Sequence, residues 1–181
     1  MASLPDPPGY YPTLDGMYLV APSGPQFVQW LGTYWEGPIG GAAFVLDCNG
    51  NKLALRQFGG VMDLHPGPRL PIGETTEIEY VAGTGTGVRV HAVALATYKE
   101  GAIKVLWDHV IYEMAGAPGS EYEDQYRWTM SADKKTISVT GQRKVGSIPD
   151  EEHHWAPMTI HALQSELHCW NEKTQTFEAC H

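Results

Sequence analysis

The sequence predicts an antiparallel all-β fold: a meander of about ten strands in consecutive hairpins that closes as a small barrel or sandwich. Two observations predict it. Short runs rich in Val, Ile, Tyr and Trp recur between turn-forming residues, and the chain carries 20 Gly and 13 Pro to supply those turns. No stretch alternates strands with long helical patterns, as a parallel α/β sheet requires. A partial propeller-like arrangement is the alternative.

The predicted strands, each bounded by turn residues, are 17–20, 26–31, 41–47, 52–57, 75–81, 88–99, 102–112, 123–130, 136–143, 167–170 and 176–180. We expect residues 1–16 to form a Pro-rich arm and 17–181 a single all-β domain, because 181 residues are enough for one core and few for two. A long loop is expected over 58–71. The stretch 157–167 fits neither the helical nor the strand period.

The longest predicted hairpin spans 88–112. With a two-residue loop at Glu100-Gly101, one face is apolar except for His109, and the large Trp107 ring falls opposite a small alanine. The reverse face is polar at its ends and apolar in its middle. It must therefore be covered by another protein layer or by a ligand.

A shorter hairpin turns at Asn49-Gly50, a strong type I′ signal because both central residues of that turn need positive φ. The register that follows pairs Phe44 with Leu55 on the core face and Ala43 with Arg56 on the reverse face. The same turn resembles a short calcium-binding loop, but no acidic residue follows to complete the oxygen shell. The sequence therefore predicts a plain turn and no metal.

Charge disfavours two classes of partner. The formal net charge is −9, and the 12 Lys and Arg residues are scattered, whereas polyanion binding needs clustered cations. We therefore expect no nucleic acid partner, and no apolar run approaches the length of a membrane-spanning helix. The first residues show no signal peptide, and their Pro-rich start is typical of a mature exported protein. We expect a periplasmic or extracellular location.

Cysteine spacing supports that expectation. Cys169 and Cys180 bracket a predicted hairpin that turns near Thr174, and the ladder would bring them close enough for a disulfide. Cys48 is left over. Disulfides persist in oxidising compartments.

Two groups of residues are candidates for catalysis. His91 and Asp108 share one face of the long hairpin, and a carboxylate that orients an imidazole is the minimum for general base chemistry. Asp63 and His65 lie with Arg69 in the expected 58–71 loop, which its prolines would stiffen. A surface pair and a rigid cover over a sheet edge explain the same residues without catalysis.

Motifs for other chemistry are missing from the sequence. The glycines of 83–87 are not followed by the Lys-Ser/Thr of a phosphate-binding loop, and they precede a strand instead of a helix. No serine-nucleophile elbow, zinc-binding helix or Cys-x-x-Cys pair occurs. No cofactor is predicted.

Two short stretches resemble known families. Gly32-Thr33-Tyr34-Trp35 is similar to the Gly-x-Trp strand opening of lipocalin-like barrels, although two residues here separate the glycine from the tryptophan. Residues 83–87 together with 102–107 resemble strands of FG-GAP-type propeller blades, but no repeat at a fixed period accompanies them. Each resemblance covers about a tenth of the chain and assigns no functional residue.

These observations favour an exported, non-catalytic binding or interaction module on a β scaffold. Aromatic residues at strand ends, among them Tyr34, Trp35 and Tyr112, are candidates to bind a small molecule or a protein partner, together with Arg69. One alternative is a small hydrolase or lyase that uses the 88–112 hairpin or the 58–71 loop. Another is a structural subunit of a larger assembly.

Overall fold

The structure, a computed structural model, describes residues 17–20, 28–35, 40–47, 49–116, 121–146 and 159–180. For 17–20, 28–29 and 33–35 it describes the backbone alone. The expected arm over 1–16 and the leftover Cys48 lie outside the described residues. So does the stretch 147–158.

Thirteen antiparallel strands form the described fold, which confirms the all-β meander. They are β1 (Met17–Val20), β2 (Val28–Trp35), β3 (Gly40–Leu46), β4 (Lys52–Phe58), β5 (Gly60–Pro66), β6 (Thr76–Gly85), β7 (Val88–Lys99), β8 (Ala102–Ala115), β9 (Tyr122–Met130), β10 (Thr136–Val145), β11 (Thr159–Ala162), β12 (Glu166–Asn171) and β13 (Thr176–Ala179). One sheet has the order β1-β2-β3-β4, and the other has the order β13-β12-β10-β9-β8-β7-β6-β5 with β11 also on β10. Among these strands neither sheet closes on itself as a barrel does.

The chain divides into two compact units. The first comprises Met1–Ala82 and Ala92–His109, and the second comprises Gly83–His91 and Val110–His181. Strands β6, β7 and β8 contribute residues to both units. Within the described part of the chain no helix is long and apolar enough to cross a membrane.

The core of the first unit lies on both faces of β7. On one face Ala94 and Ala96 pack into a buried cluster with Trp30 and residues of β3, β4, β5 and β6. On the reverse face Leu95 is also fully buried. There the Thr97 hydroxyl donates a hydrogen bond of 2.8 Å to the Glu74 carbonyl, so the segment between β5 and β6 lies against this face. The apolar middle of the reverse face thus has a protein cover at this end.

Turn chemistry explains where the predicted hairpin registers are correct and where they are not. Glu100 and Gly101 have φ of 53° and 80°, as a two-residue type I′ loop requires. In the shorter hairpin Phe44 lies opposite Leu55 as expected, but a bulge follows Val45. There the Asp47 carboxylate accepts hydrogen bonds of 2.8 Å from the amides of Asn49 and Asn51. Of Asn49 and Gly50, only Gly50 has positive φ, so the type I′ prediction was wrong for this turn.

The faces of that shorter hairpin also differ from the prediction. Ala43 is fully buried in the core cluster, whereas Leu55, expected in the core, is 43% exposed. Arg56 pairs with Ala43 as expected, and its guanidinium donates a hydrogen bond to the Ile103 carbonyl at 3.5 Å. Small alanine side chains therefore occupy the packed face, a choice that hydrophobicity alone does not indicate.

The expected 58–71 loop contains a strand, β5. Val61 and Leu64 are both fully buried although they are three positions apart, because the register shifts between Val61 and Asp63. A bulge of this kind breaks the alternation by which strands are recognised in a sequence. Gly32 of β2 makes room for β5, since a Cβ there would overlap the Val61 side chain.

The C-terminal hairpin carries the predicted disulfide. Cys169 and Cys180 are bonded, with their Cα atoms 5.1 Å apart. Cys169 lies opposite Glu178, and the Cys180 amide donates a hydrogen bond to the Leu167 carbonyl at 2.9 Å. The bridge thus joins β12 to the residue after β13. The ambiguous stretch 157–167 contains the short strand β11.

The double burial of β7 leads to a stability prediction. Leu95→Ala leaves a cavity between two packed layers, so the free energy of unfolding should fall by about 2–5 kcal/mol. Leu55→Ala is the matched control, and its half-exposed side chain should cost under about 1 kcal/mol. Urea unfolding measures both variants. Equal losses for the two would contradict the packing of this strand.

Candidate functional site

On one side of β7 to β10, the strand residues that belong to the second unit are mostly polar, and this surface is here named the polar face. Tyr112 of β8 lies opposite Gln125 of β9, which lies opposite Gln142 of β10. Arg127 lies opposite Thr140 on the same side, because alternate residues of a strand point the same way. The polar strand residues of this face are Arg89, His91, Tyr112, Glu123, Gln125, Arg127, Thr129, Ser138, Thr140, Gln142 and Lys144.

A cavity of about 220 Å³ opens on the polar face. Its lining consists of hydrogen-bonding side chains and one glycine: Gln125, Arg127, Thr140, Gly141 and Gln142. Thr140 and Arg127 are exposed, whereas the two glutamines are half-buried. The site is therefore open to solvent and offers donors and acceptors at fixed strand positions.

The two glutamines are held by their neighbours. The Gln142 side-chain amide donates to the Gln125 carbonyl oxygen at 3.4 Å, and the Gln125 amide donates to the Glu123 carboxylate. Lys144 forms an ion pair with the same carboxylate at 3.5 Å. This chain of contacts limits the rotamers of both amides before a ligand binds.

His91 and Tyr112 form an aromatic pair beside the glutamines. Their ring centroids are 5.3 Å apart at an angle of 40°. Burial lowers the pKa of His91, and the nearby Arg89 lowers it further. Burial also raises the pKa of Tyr112, and the Glu123 carboxylate adds to this. Both rings are thus neutral around pH 7.

A buried ion pair lies on the opposite face of the same strands. Asp124, only 2% exposed, accepts two hydrogen bonds of 2.7 Å from the Arg143 guanidinium. The same guanidinium lies 4.4 Å above the Tyr122 ring, whose hydroxyl donates to Glu113 at 2.6 Å. The Asp124 carboxylate raises the pKa of Arg143, and the hydrogen bond to Glu113 raises that of Tyr122. Strands β8, β9 and β10 are thereby linked directly behind the polar face.

Gly141 allows an aromatic ring to pack behind the cavity. A Cβ at this position would lie 2.6 Å from the Tyr126 ring and 3.2 Å from Leu163, both too close. An alanine here would push the ring away from the strand. The cavity therefore has a glycine in its lining because of packing on the other face of the sheet.

Of the catalytic candidates, Asp63 and His65 are brought together. The His65 Nε2 lies 2.9 Å from an Asp63 carboxylate oxygen, and both side chains are nearly half exposed. On β6, Glu79 and Glu77 lie opposite them. Burial raises the pKa of Glu77, to which Glu79 adds, while His65 opposes the shift. Arg69 is 65% exposed and contacts Glu74 at 3.5 Å.

The other predicted site residues are distributed over the two units. Asp108, in the first unit, accepts a hydrogen bond of 2.7 Å from the Tyr80 hydroxyl, and burial followed by this bond raises the pKa of Tyr80. His91 and Tyr112 belong to the second unit. Tyr34 and Trp35 end strand β2, and their side chains lie outside the described structure.

Sequence reasoning missed Gln125, Arg127, Thr140 and Gln142. The signal was present, because polar residues alternate along β9 and along β10 just as the apolar ones do. The alternation of the apolar residues Tyr126, Trp128 and Met130 predicts the strand, but it does not indicate which polar side chains meet on the other side. Alternating polar residues are ordinary on the solvated face of a strand. Only the register of the β9–β10 ladder shows that the polar residues of one strand lie opposite those of the other.

Comparison with known proteins finds no relative: no family model, curated protein or solved structure matches the chain. The candidate site therefore rests on its geometry.

The buried pair behind the polar face can be tested through stability. Arg143→Leu leaves the Asp124 carboxylate buried without its cation, so the free energy of unfolding should fall by about 3 kcal/mol. This value is at the lower end for a broken buried pair, because Arg143 is itself partly exposed. Lys144→Leu, one residue along on the other face, should cost under about 1 kcal/mol. Urea unfolding at pH 7 measures both variants. Equal losses of unfolding free energy would show that the pair of Asp124 and Arg143 contributes nothing to stability.

The lowered pKa of His91 predicts a dependence on pH. Since the unfolded chain holds the proton on this imidazole more tightly than the folded chain, His91 reduces stability as pH falls through its unfolded value of about 6.5. His91→Gln should therefore lose less stability than wild type between pH 7.5 and 5.5. Urea midpoints across this range measure the difference. Parallel curves, or an NMR titration placing the His91 midpoint above 6.5, would refute it.

Proposed function

We propose that the chain is a non-catalytic binding module whose polar face holds a polyhydroxylated small ligand, such as an oligosaccharide. The observation that carries the proposal is the cavity lined by Gln125, Arg127, Thr140 and Gln142. Side-chain amides and hydroxyls donate and accept at once, as do the hydroxyl groups of a sugar. This pairing of functional groups is the chemical basis of the proposal.

Rigidity supports binding at this surface. The lining residues lie on β9 and β10, whose ladder extends over nine paired positions, and the two glutamine amides already contact each other. Ordering such side chains costs less on binding than ordering free ones. The half-buried Tyr112 ring beside them offers an apolar surface of the kind that packs against the C–H groups of a sugar ring.

The compartment forms part of the proposal. The disulfide between Cys169 and Cys180 favours an oxidising environment. We therefore place the protein among exported proteins, in the periplasm or outside the cell. A disulfide in the C-terminal hairpin would protect this part of a small β protein where no reductant maintains thiols.

A hydrolase or lyase is the second candidate, and one contact favours it. The Asp63 carboxylate lies within hydrogen-bond distance of the His65 imidazole, as an orienting acid does for a general base. Both side chains are nearly half exposed, so water and salt screen the interaction between their charges. The polar face, with its cavity, is the better supported site.

Binding can be mapped on the folded chain. Defined tetrasaccharides, neutral and acidic, are first tested as an array, and the binders are titrated into ¹⁵N-labelled protein. The side-chain amide signals of Gln125 and Gln142 should shift on binding. Gln142→Ala should weaken affinity about tenfold through one lost hydrogen bond. Gln57→Ala, an exposed glutamine on β4 in the first unit, should not change it.

Three outcomes would contradict this function. The first is a shift map centred on β5 instead of β9 and β10. The second is binding unaffected by Gln142→Ala. The third is cleavage of a tetrasaccharide that is lost in His65→Ala, which would establish the hydrolase or lyase instead.

A further inference from the structure

We infer that the ligand of the polar face carries a carboxylate, as a uronic acid sugar does, and that Arg127 binds it. The inference rests on the proposed function and names the class of its ligand. It starts from an asymmetry among the cations of the chain. Arg143 is engaged by Asp124, Lys144 by Glu123 and Arg69 by Glu74. Arg127, at the cavity, contacts no carboxylate among the described residues.

The charge of the polar face is opposite to that of the chain. The whole sequence has a formal net charge of −9. On this side of β7 to β10, however, the strand residues of the second unit carry three cations, Arg89, Arg127 and Lys144, and one carboxylate, that of Glu123. Burial lowers the pKa of His91, and proximity to Arg89 lowers it further, so this end of the face disfavours an additional positive charge. A local excess of cations attracts an anionic ligand, even when the protein as a whole is acidic.

The neighbours of Arg127 fit an oxyanion. Thr140 lies directly opposite Arg127 in the ladder, and directly opposed side chains on adjacent strands have Cβ atoms about 5 Å apart. A planar guanidinium binds a carboxylate through two parallel hydrogen bonds, and the Thr140 hydroxyl can donate a third to the same group. The next opposed pair on this face, Gln125 and Gln142, then meets the sugar hydroxyls.

The dimensions fit a short oligosaccharide. Adjacent strands lie about 4.8 Å apart, so the distance from β7 to β10 across the face is about 14 Å. A span of this length suits a short oligosaccharide laid across the strands. One end of the ligand would reach the His91 and Tyr112 pair when its carboxylate lies at Arg127.

The test compares two probes with the same sugar backbone, tetragalacturonate and its fully methyl-esterified form, which has no free carboxylate. Titration calorimetry with the intact chain should show the acid binding at least tenfold tighter than the ester at low salt, and the difference should shrink as salt increases. Arg127→Ala should lower the affinity for the acid far more than the affinity for the ester, so that the variant binds the two probes about equally. Arg127→Lys keeps the positive charge but not the planar guanidinium. Its affinity for the acid should therefore lie between those of wild type and Arg127→Ala.

Controls distinguish failure of the carboxylate inference from failure of the proposed function. Lys173→Ala, an exposed lysine in the turn of the C-terminal hairpin, should bind both probes as wild type does. Urea midpoints equal to wild type confirm that Arg127→Ala is folded. Equal binding of acid and ester would overturn the carboxylate inference and leave the polyhydroxylated ligand in place. Binding of neither probe, together with an array that shows no binder, would overturn the proposed function itself.

Discussion

The ion pair between Asp124 and Arg143 determines which side chains of β9 and β10 lie on each side of the sheet. A slip of one residue turns every side chain of a strand to the other side, and a hydrophobic face normally forbids it. Near residues 123–127 both sides of the strands are polar, so hydrophobicity specifies the register weakly there. A buried carboxylate with a two-bond guanidinium partner specifies it strongly, because a slipped Asp124 would lose both bonds of 2.7 Å. The orientation of Gln125 and Arg127 toward the polar face follows from that constraint.

The long hairpin shows how one pair of strands serves two purposes. In the first unit, the middle of β7 is apolar on both sides and buried on both, and alanines on one side let the neighbouring sheet approach closely. In the second unit, the start of β7 and the end of β8 carry His91 and Tyr112 on a half-exposed face. Residues that stabilise the fold and residues that can bind a ligand therefore occupy different stretches of the same strands.

Local signals were enough to predict the hairpin at Glu100-Gly101 and the bond between Cys169 and Cys180, since turn chemistry and spacing act within a few residues. Strand β5 was missed because its bulge places Val61 and Leu64 on one side at a spacing of three. The candidate site was predicted only at His91 and Tyr112. Its glutamines and arginine come together through the register of β8 to β10, which no single stretch of sequence contains.

The state of each arginine explains why one of them is suited to bind a ligand. Arg143 is committed to the fold, because removing it would leave a buried carboxylate unpaired. Arg127 is exposed and contacts no carboxylate in the described structure, so we expect its replacement to cost little folding stability. An exposed guanidinium at the mouth of a polar cavity keeps part of its hydration when a carboxylate binds, so the desolvation cost is lower than for a buried pair. The two parallel hydrogen bonds of the guanidinium fix the geometry of the bound carboxylate. The polar face is therefore built so that structural and binding electrostatics do not compete, with the structural pair behind the sheet and the free guanidinium in front of it.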